Sequence, residues 1–240
     1  MKRILSVVMA LFPVVLLMGL TVSWVDGWPT LARWSVLGQS GIPVQEGLWT
    51  SAGVALVVAA ISTILGAGTA RAMQASRWRS VLMPLAWLPW AVSPVIAGIL
   101  FMVVYLRAGI DGTVLSVMLA HLVFSGAYAV VLMDGFWRRD VARLEETGRT
   151  LGASGSHLFA HVLWPAMRRP LMLVFAQTFL ISWFQYGVTL LVGAGRVQTL
   201  PVLVFGFVGE ANVYLAAMAS LLLVIPPMLL LWVTRNEWTT

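Results

Sequence analysis

Six long apolar runs separated by short polar stretches set the plan of this chain: residues 4–25, 48–70, 81–106, 114–133, 171–192 and 214–233. Each reaches the roughly 20 residues that carry a helix across a bilayer. The pattern predicts an all-α membrane protein of six transmembrane helices. The first run follows Met1-Lys2-Arg3, as the core of a signal peptide would. It exceeds the about 7 to 15 apolar residues of such a core, and no Ala-x-Ala site precedes Asp26, so it reads as an uncleaved helix. Asp26 to Glu46 is a polar connection, with Trp24, Trp28 and Trp34 placed as an interfacial aromatic belt would place them. Pro84, Pro89 and Pro94 in the third run, and Pro226 and Pro227 in the sixth, predict kinks of the kind a helix bundle tolerates. Gly53, Gly66 and Gly68 in the second predict close helix approach.

Composition narrows the class. The 240 residues are 60% hydrophobic and 10% charged, with mean hydropathy +0.91, against about a quarter charged in soluble domains. One transmembrane domain over 1–240 is the economical organisation. The net charge of +6 does not point to nucleic acid, because the basic residues lie between apolar runs and form no basic stripe. Cytoplasmic loops carry the excess of Lys and Arg. With the N-terminus inside, Lys2, Arg3, Arg71, Arg77, Arg79, Arg138, Arg139, Arg143, Arg149, Arg168, Arg169 and Arg235 are cytoplasmic, and only Arg33, Arg107 and Arg196 are outside. Both termini are then cytoplasmic. Cysteine is absent, which removes thiolate nucleophiles and sulfur-ligated metals. The one lysine, Lys2, follows no Gly-rich turn, so no phosphate loop is present. No cofactor is expected, and ATP hydrolysis would have to come from another chain.

The longest stretch without a membrane-length run is Asp134 to Pro170, on the cytoplasmic side. Val141 to Leu151 reads as a charged helix with Arg143, Glu145, Glu146 and Arg149. Gly152 supplies the left-handed position that ends it. Ser154 or Ser156 is placed to cap a second helix, which carries Leu158, Phe159, Val162 and Leu163 and stops near Pro165.

These residues bear a resemblance. Glu146-Thr147-Gly148-Arg149-Thr150-Leu151-Gly152, then Val162-Leu163-Trp164-Pro165, is similar to the Glu-Ala-Ala loop of binding-protein-dependent ABC importer permeases: Glu-Ala-Ala, three residues, Gly, nine residues, Ile, one residue, Leu-Pro. The spacing is kept, with Thr147-Gly148 for Ala-Ala, Val162 for Ile and Trp164 for Leu. Gly193-Ala194-Gly195-Arg196 through Thr199-Leu200-Pro201-Val202 resembles the subgroup handling thiamine, ferric iron, polyamines and sulfate-like anions. The resemblance implies a permease of the bacterial cytoplasmic (inner) membrane that has no catalysis of its own. Its implied partners are ABC ATPase subunits, a second permease subunit and a periplasmic or surface solute-binding protein, in a lipid bilayer. It also implies that the loop is the coupling helix seated in a groove of the ATPase, a role that falls on Glu146, Gly152 and Pro165, with Arg149, Leu151 and Ala153 as contacts.

Within the runs, His121 stands in the fourth, where an ionisable residue is either functional or interhelical glue. The glue reading is preferred. Gln177, Ser182, Gln185 and Tyr186 in the fifth run either line a translocation path or join helices. His157 and His161, four apart, suggest a metal pair, but no third ligand is evident and a polar helix face is the preferred reading. An intramembrane enzyme would need convergent acids, nucleophiles or ligands, and none cluster. The alternative function is an ion-coupled secondary transporter working without an ATPase, which calls for buried carboxylates or an inverted repeat. Asp134 and Glu210 stand only at run ends.

Overall fold

The structure, a computed structural model, describes residues 43–137 and 141–234. The first apolar run, its Trp-containing connection, Lys2, Arg3, Arg33, Arg138, Arg139, Arg235 and both termini lie outside the described residues. Those described are helical, with no strand. In chain order they form α1 (Val44–Gln74), α2 (Arg79–Ala91), α3 (Pro94–Ala108), α4 (Val114–Phe136), α5 (Ala142–Thr150), α6 (Gly155–Leu158), a π-helical turn (Phe159–Leu163), α7 (Trp164–Trp183), α8 (Gly187–Val192), α9 (Leu200–Gly209) and α10 (Val213–Thr234). Among the described residues three helices, α1, α4 and α10, are long and apolar enough to cross a membrane; a fourth span is made if the bent pair α2 and α3 counts as one.

The second, fourth and sixth runs each form one continuous helix, and Pro226 and Pro227 lie inside α10. The third run is corrected in one respect: it is two helices at 98° to each other, not one kinked helix. The break falls at Val92 and Ser93, whose ψ values of 136° and 132° are extended. Pro94 causes it, because the proline ring disfavours helical backbone in the residue before it, and Pro94 itself then opens α3. Pro84 and Pro89 lie within α2 without ending it. The fifth run is corrected too. Helix starts earlier, at Trp164, and 171–192 is divided between α7 and α8 by a break at 184–186.

The described residues fall into two compact units. One holds the residues up to Ser51 with Gln198–Val233. There Ser51 Oγ accepts the Leu200 amide at 2.7 Å, and Leu200, Leu203, Val204 and Phe207 of α9 are buried. The other unit runs over Ala52–Val197 and has two apolar cores. One gathers Val54, Val58, Ala97, Val117, Ala120, Phe124, Val188 and Val192; the second gathers Ala70, Ala129, Met133, Trp137, Leu158, Leu163, Met167 and Val174. Both draw on α4. Trp90 of α2 packs on Tyr128 and edge-on to Phe124.

Of the three glycines expected to allow close approach, Gly66 alone does so among the described residues: a Cβ there would lie 2.9 Å from the Ala129 backbone carbon. Among the described residues nothing lies within 4 Å of that position at Gly53 or Gly68. Outward faces are apolar. α2 buries no residue, and Val81, Leu85, Trp87 and Leu88 are all more than half exposed. An apolar surface this continuous is foreign to a monomer in water and suits hydrocarbon.

Candidate functional site: the loop between α4 and α7

The loop folds as helix, glycine turn, helix. α5 ends in a full left-handed cap. Gly152 has φ +79°, its amide bonds to the Arg149 carbonyl at 3.0 Å, and the Ala153 amide bonds to the Gly148 carbonyl at 3.1 Å. This pair of bonds is the Schellman closure, and only glycine adopts such backbone without strain. A Cβ at Gly148 would meet Leu158 Cδ1 across the turn. Leu158 is buried, so the two halves of the loop pack on one another.

Two details of the second helix differ from expectation. Ser154 occupies the N-cap position, but neither it nor Ser156 makes a side-chain capping bond; their hydroxyls face each other at 3.5 Å. And the helix does not stop near Pro165. It runs on into α7, with Pro165 in the first turn and Pro170 inside. The π-helical turn explains this: the Trp164 amide reaches five residues back to the Phe159 carbonyl, and the widened turn makes room for a ring that also brings no amide to the ladder.

Around the turn the surface is mixed. Leu151 is 82% exposed, and Glu146, Arg149, Gly152 and Pro165 are exposed as well, with Ala153 half-buried. A cleft of about 420 Å³ opens beside it, lined among others by Arg71, Glu145, Arg149, Ala153, Phe159 and Leu163. Of the residues picked from sequence, the structure brings Arg149 and Ala153 to this cleft. Glu146, Leu151, Gly152 and Pro165 do not line it.

The paired acid of the loop is Glu145, the neighbour of the one singled out. Its Oε1 accepts from Arg71 of α1 at 3.0 Å and from Arg149 at 2.8 Å. A second charged cluster lies where α1 and α2 approach the end of α4. Asp134, fully buried, accepts from Gln74 at 2.7 Å and from Arg79 at 2.8 Å on Oδ1 and 2.6 Å on Oδ2. The sequence alone marks Asp134 only as an acid at a run end. Its partners are 55 and 60 residues away, beyond any pattern in a local window. The Glu145–Arg149 spacing of four, by contrast, is a readable helix-face signal.

His121 is buried, with Nδ1 2.8 Å from Ser182 Oγ and Nε2 2.8 Å from Thr189 Oγ1. Thr189 gives its own hydrogen to the Gln185 carbonyl at 2.7 Å, so Nε2–H donates to Thr189 and Nδ1 accepts from Ser182. The ring thereby clasps α4 to both sides of the break between α7 and α8. His121 and Ser182 are both buried. Gln185 and Tyr186 sit half-buried at the break itself. Gln177 accepts from the Tyr128 hydroxyl at 3.0 Å, joining α7 to α4. His157 and His161 stack with ring centroids 4.1 Å apart. Among the described residues no third His, Cys, Asp or Glu joins them.

Comparison with known proteins gives the family. The sequence profile of the family described as "Binding-protein-dependent transport system inner membrane component" matches residues 62–235. The chain is 33% identical over 150 residues to the inner membrane ABC transporter permease protein YnjC of Escherichia coli (strain K12), a match covering 62% of this chain and 28% of YnjC. It is 26% identical over 197 residues to the sulfate transport system permease protein CysW of Synechococcus elongatus, covering 75% of this chain and 69% of CysW. In fold it is similar to a crystal structure of a bacterial ABC transporter involved in the import of the acidic polysaccharide alginate. That likeness has a TM-score of 0.63 at 12% identity and covers 100% of this chain and 94% of the other. With a profile match that begins inside α1 and takes in the whole loop, the chain belongs to the family of binding-protein-dependent transport system inner membrane components.

Proposed function

We propose that this chain is the transmembrane permease subunit of an ABC importer, forming half of a solute pathway and coupling to a separate ATPase chain through the loop between α4 and α7. The observation that carries the reading is the Gly152 turn: a rigid, exposed knob, closed by two backbone bonds, at the spacing of the coupling signature and inside the family match. A knob that is to be pushed by a closing ATPase pair must not deform, and the left-handed cap provides that stiffness. In this reading Glu146, Arg149, Leu151, Gly152, Ala153 and Pro165 face or support the ATPase, and Gln185 and Tyr186, at the α7–α8 break, line the solute path. Irregular backbone at membrane depth is tolerated where it borders a cavity, which supports that assignment.

The whole chain forms one permease domain of six transmembrane helices with both termini cytoplasmic. Its partners are two ABC ATPase subunits, a second permease subunit and a solute-binding protein, in the bacterial cytoplasmic membrane. Twelve of the fifteen basic residues fall on the cytoplasmic side in that arrangement, in keeping with the charge bias of membrane loops. The substrates named for the relatives, sulfate and alginate, belong to those proteins. Reconstitution in liposomes with co-expressed ATPase subunits, the second permease and the binding protein tests the reading. Uptake that requires ATP supports it, and uptake by the chain alone under an ion gradient replaces it with the secondary transporter.

A further inference from the structure

The end of α1 and the loop helix α5 meet at a single carboxylate oxygen. Glu145 Oε1 takes a hydrogen from Arg71 Nη2 at 3.0 Å and from Arg149 Nη2 at 2.8 Å. The two arginines differ in setting. Arg71 is backed by α4, its guanidinium 5.1 Å from the Trp137 ring centroid, and Trp137 in turn donates Nε1–H to the Ala67 carbonyl of α1 at 3.3 Å. Gly66 against Ala129 and Gln74 against Asp134 fasten the same two helices. Arg149 is 69% exposed, on the loop's outer surface.

We propose that Arg71 and Glu145 are positioning residues that tie the coupling loop to the joined ends of α1 and α4, and that an acidic side chain of the ATPase docking on Arg149 tightens this tie. The inference rests on the coupling reading above. An exposed ion pair contributes little to stability, so this one is not needed to hold the fold. Its consequence lies in the sharing. Two cations divide the negative charge of one oxygen, and a partner carboxylate that draws Arg149 away leaves Glu145 to Arg71 alone. The loop helix then moves with α1 and α4 as one body. Arg149 suits a carboxylate because guanidinium matches it in a fixed fork.

The absence of cysteine makes a distance measurement direct. Spin labels on Ala72→Cys and Thr150→Cys, both at exposed positions, report α1 against α5 in the full transporter complex with its ATPase subunits. One narrow distance is expected, the same without nucleotide and after vanadate trapping with ATP. Glu145→Ala and Arg71→Met are expected to lose it, giving a broad or double distribution after trapping, while the ATPase still copurifies and hydrolyses ATP. The paired reversal Arg71→Glu with Glu145→Arg is expected to restore the narrow distance. A narrow, unchanged distance in both single variants overturns the inference and leaves the coupling reading standing. Failure of the native chain to hold any ATPase subunit overturns both.

Discussion

At Asp134 a full negative charge is held away from solvent near the end of α4, and three hydrogen bonds from Gln74 and Arg79 offset the cost of burying it. Removing the carboxylate alone strands Arg79, whose side chain is 30% exposed. Loss of one partner of a buried pair costs about 3–5 kcal/mol, and the partial exposure of Arg79 places Asp134→Ala at the lower end, about 3 kcal/mol. Asp134→Leu combined with Arg79→Met replaces both charges by apolar groups and is expected to recover much of that loss. Denaturant unfolding in detergent measures both; equal losses for the single and double variants would contradict the pairing. His121→Leu removes two interhelical bonds, and at about 0.6–1.7 kcal/mol each it is expected to lower stability by about 1–3 kcal/mol without releasing the ATPase, as thermal unfolding and copurification would report. Neither cluster was fully legible in the sequence. His121 was readable as glue because an imidazole in an apolar run needs partners, but Ser182 and Thr189 lie 61 and 68 residues on, and only the fold brings them to its ring.

Among the helices, two glycines make opposite predictions. Gly66→Ala drives a methyl to within 2.9 Å of backbone at Ala129, which cannot yield locally, so about 1–3 kcal/mol of overpacking is expected. Gly148→Ala meets only the end of the Leu158 side chain. A rotamer shift there is set against the about 1 kcal/mol of helix propensity that alanine regains, so the net change is expected to be small. Denaturation midpoints of the two variants separate these cases, and a larger loss for Gly148→Ala would show that Leu158 has no room to move. Helix positions were largely legible, because apolar runs of membrane length have one backbone solution. The breaks were less so. The prolines of the third run predict kinks, and the bend falls before Pro94 alone; the fifth carries Gln185 and Tyr186 at its break but no proline that would announce it. Pro165 was misread as a stop because the sequence does not announce the π-helical turn that seats it.

Over the whole molecule, the exposed apolar faces of α2 and α3, the family match over 62–235 and the fold shared with an ABC importer fit a membrane subunit that works in a complex. The glycine turn of the loop was legible because its glycine has a physical duty: no other residue takes φ +79° at Gly152 so readily. Its charged connection to α1 was not, since the acid that pairs is Glu145, not the signature's Glu146. In the function proposed above, this turn engages an ATPase. Copurification of co-expressed ATPase subunits with the detergent-solubilised chain tests it most directly, with Glu146→Arg and Gly152→Pro compared against the native sequence. Proline fixes φ near −65° and cannot form the turn, while Glu146→Arg reverses an exposed charge and leaves the fold intact. The native chain is expected to retain the ATPase, and both variants to lose it while still folding. Retention of the ATPase by both variants at the native level would contradict it.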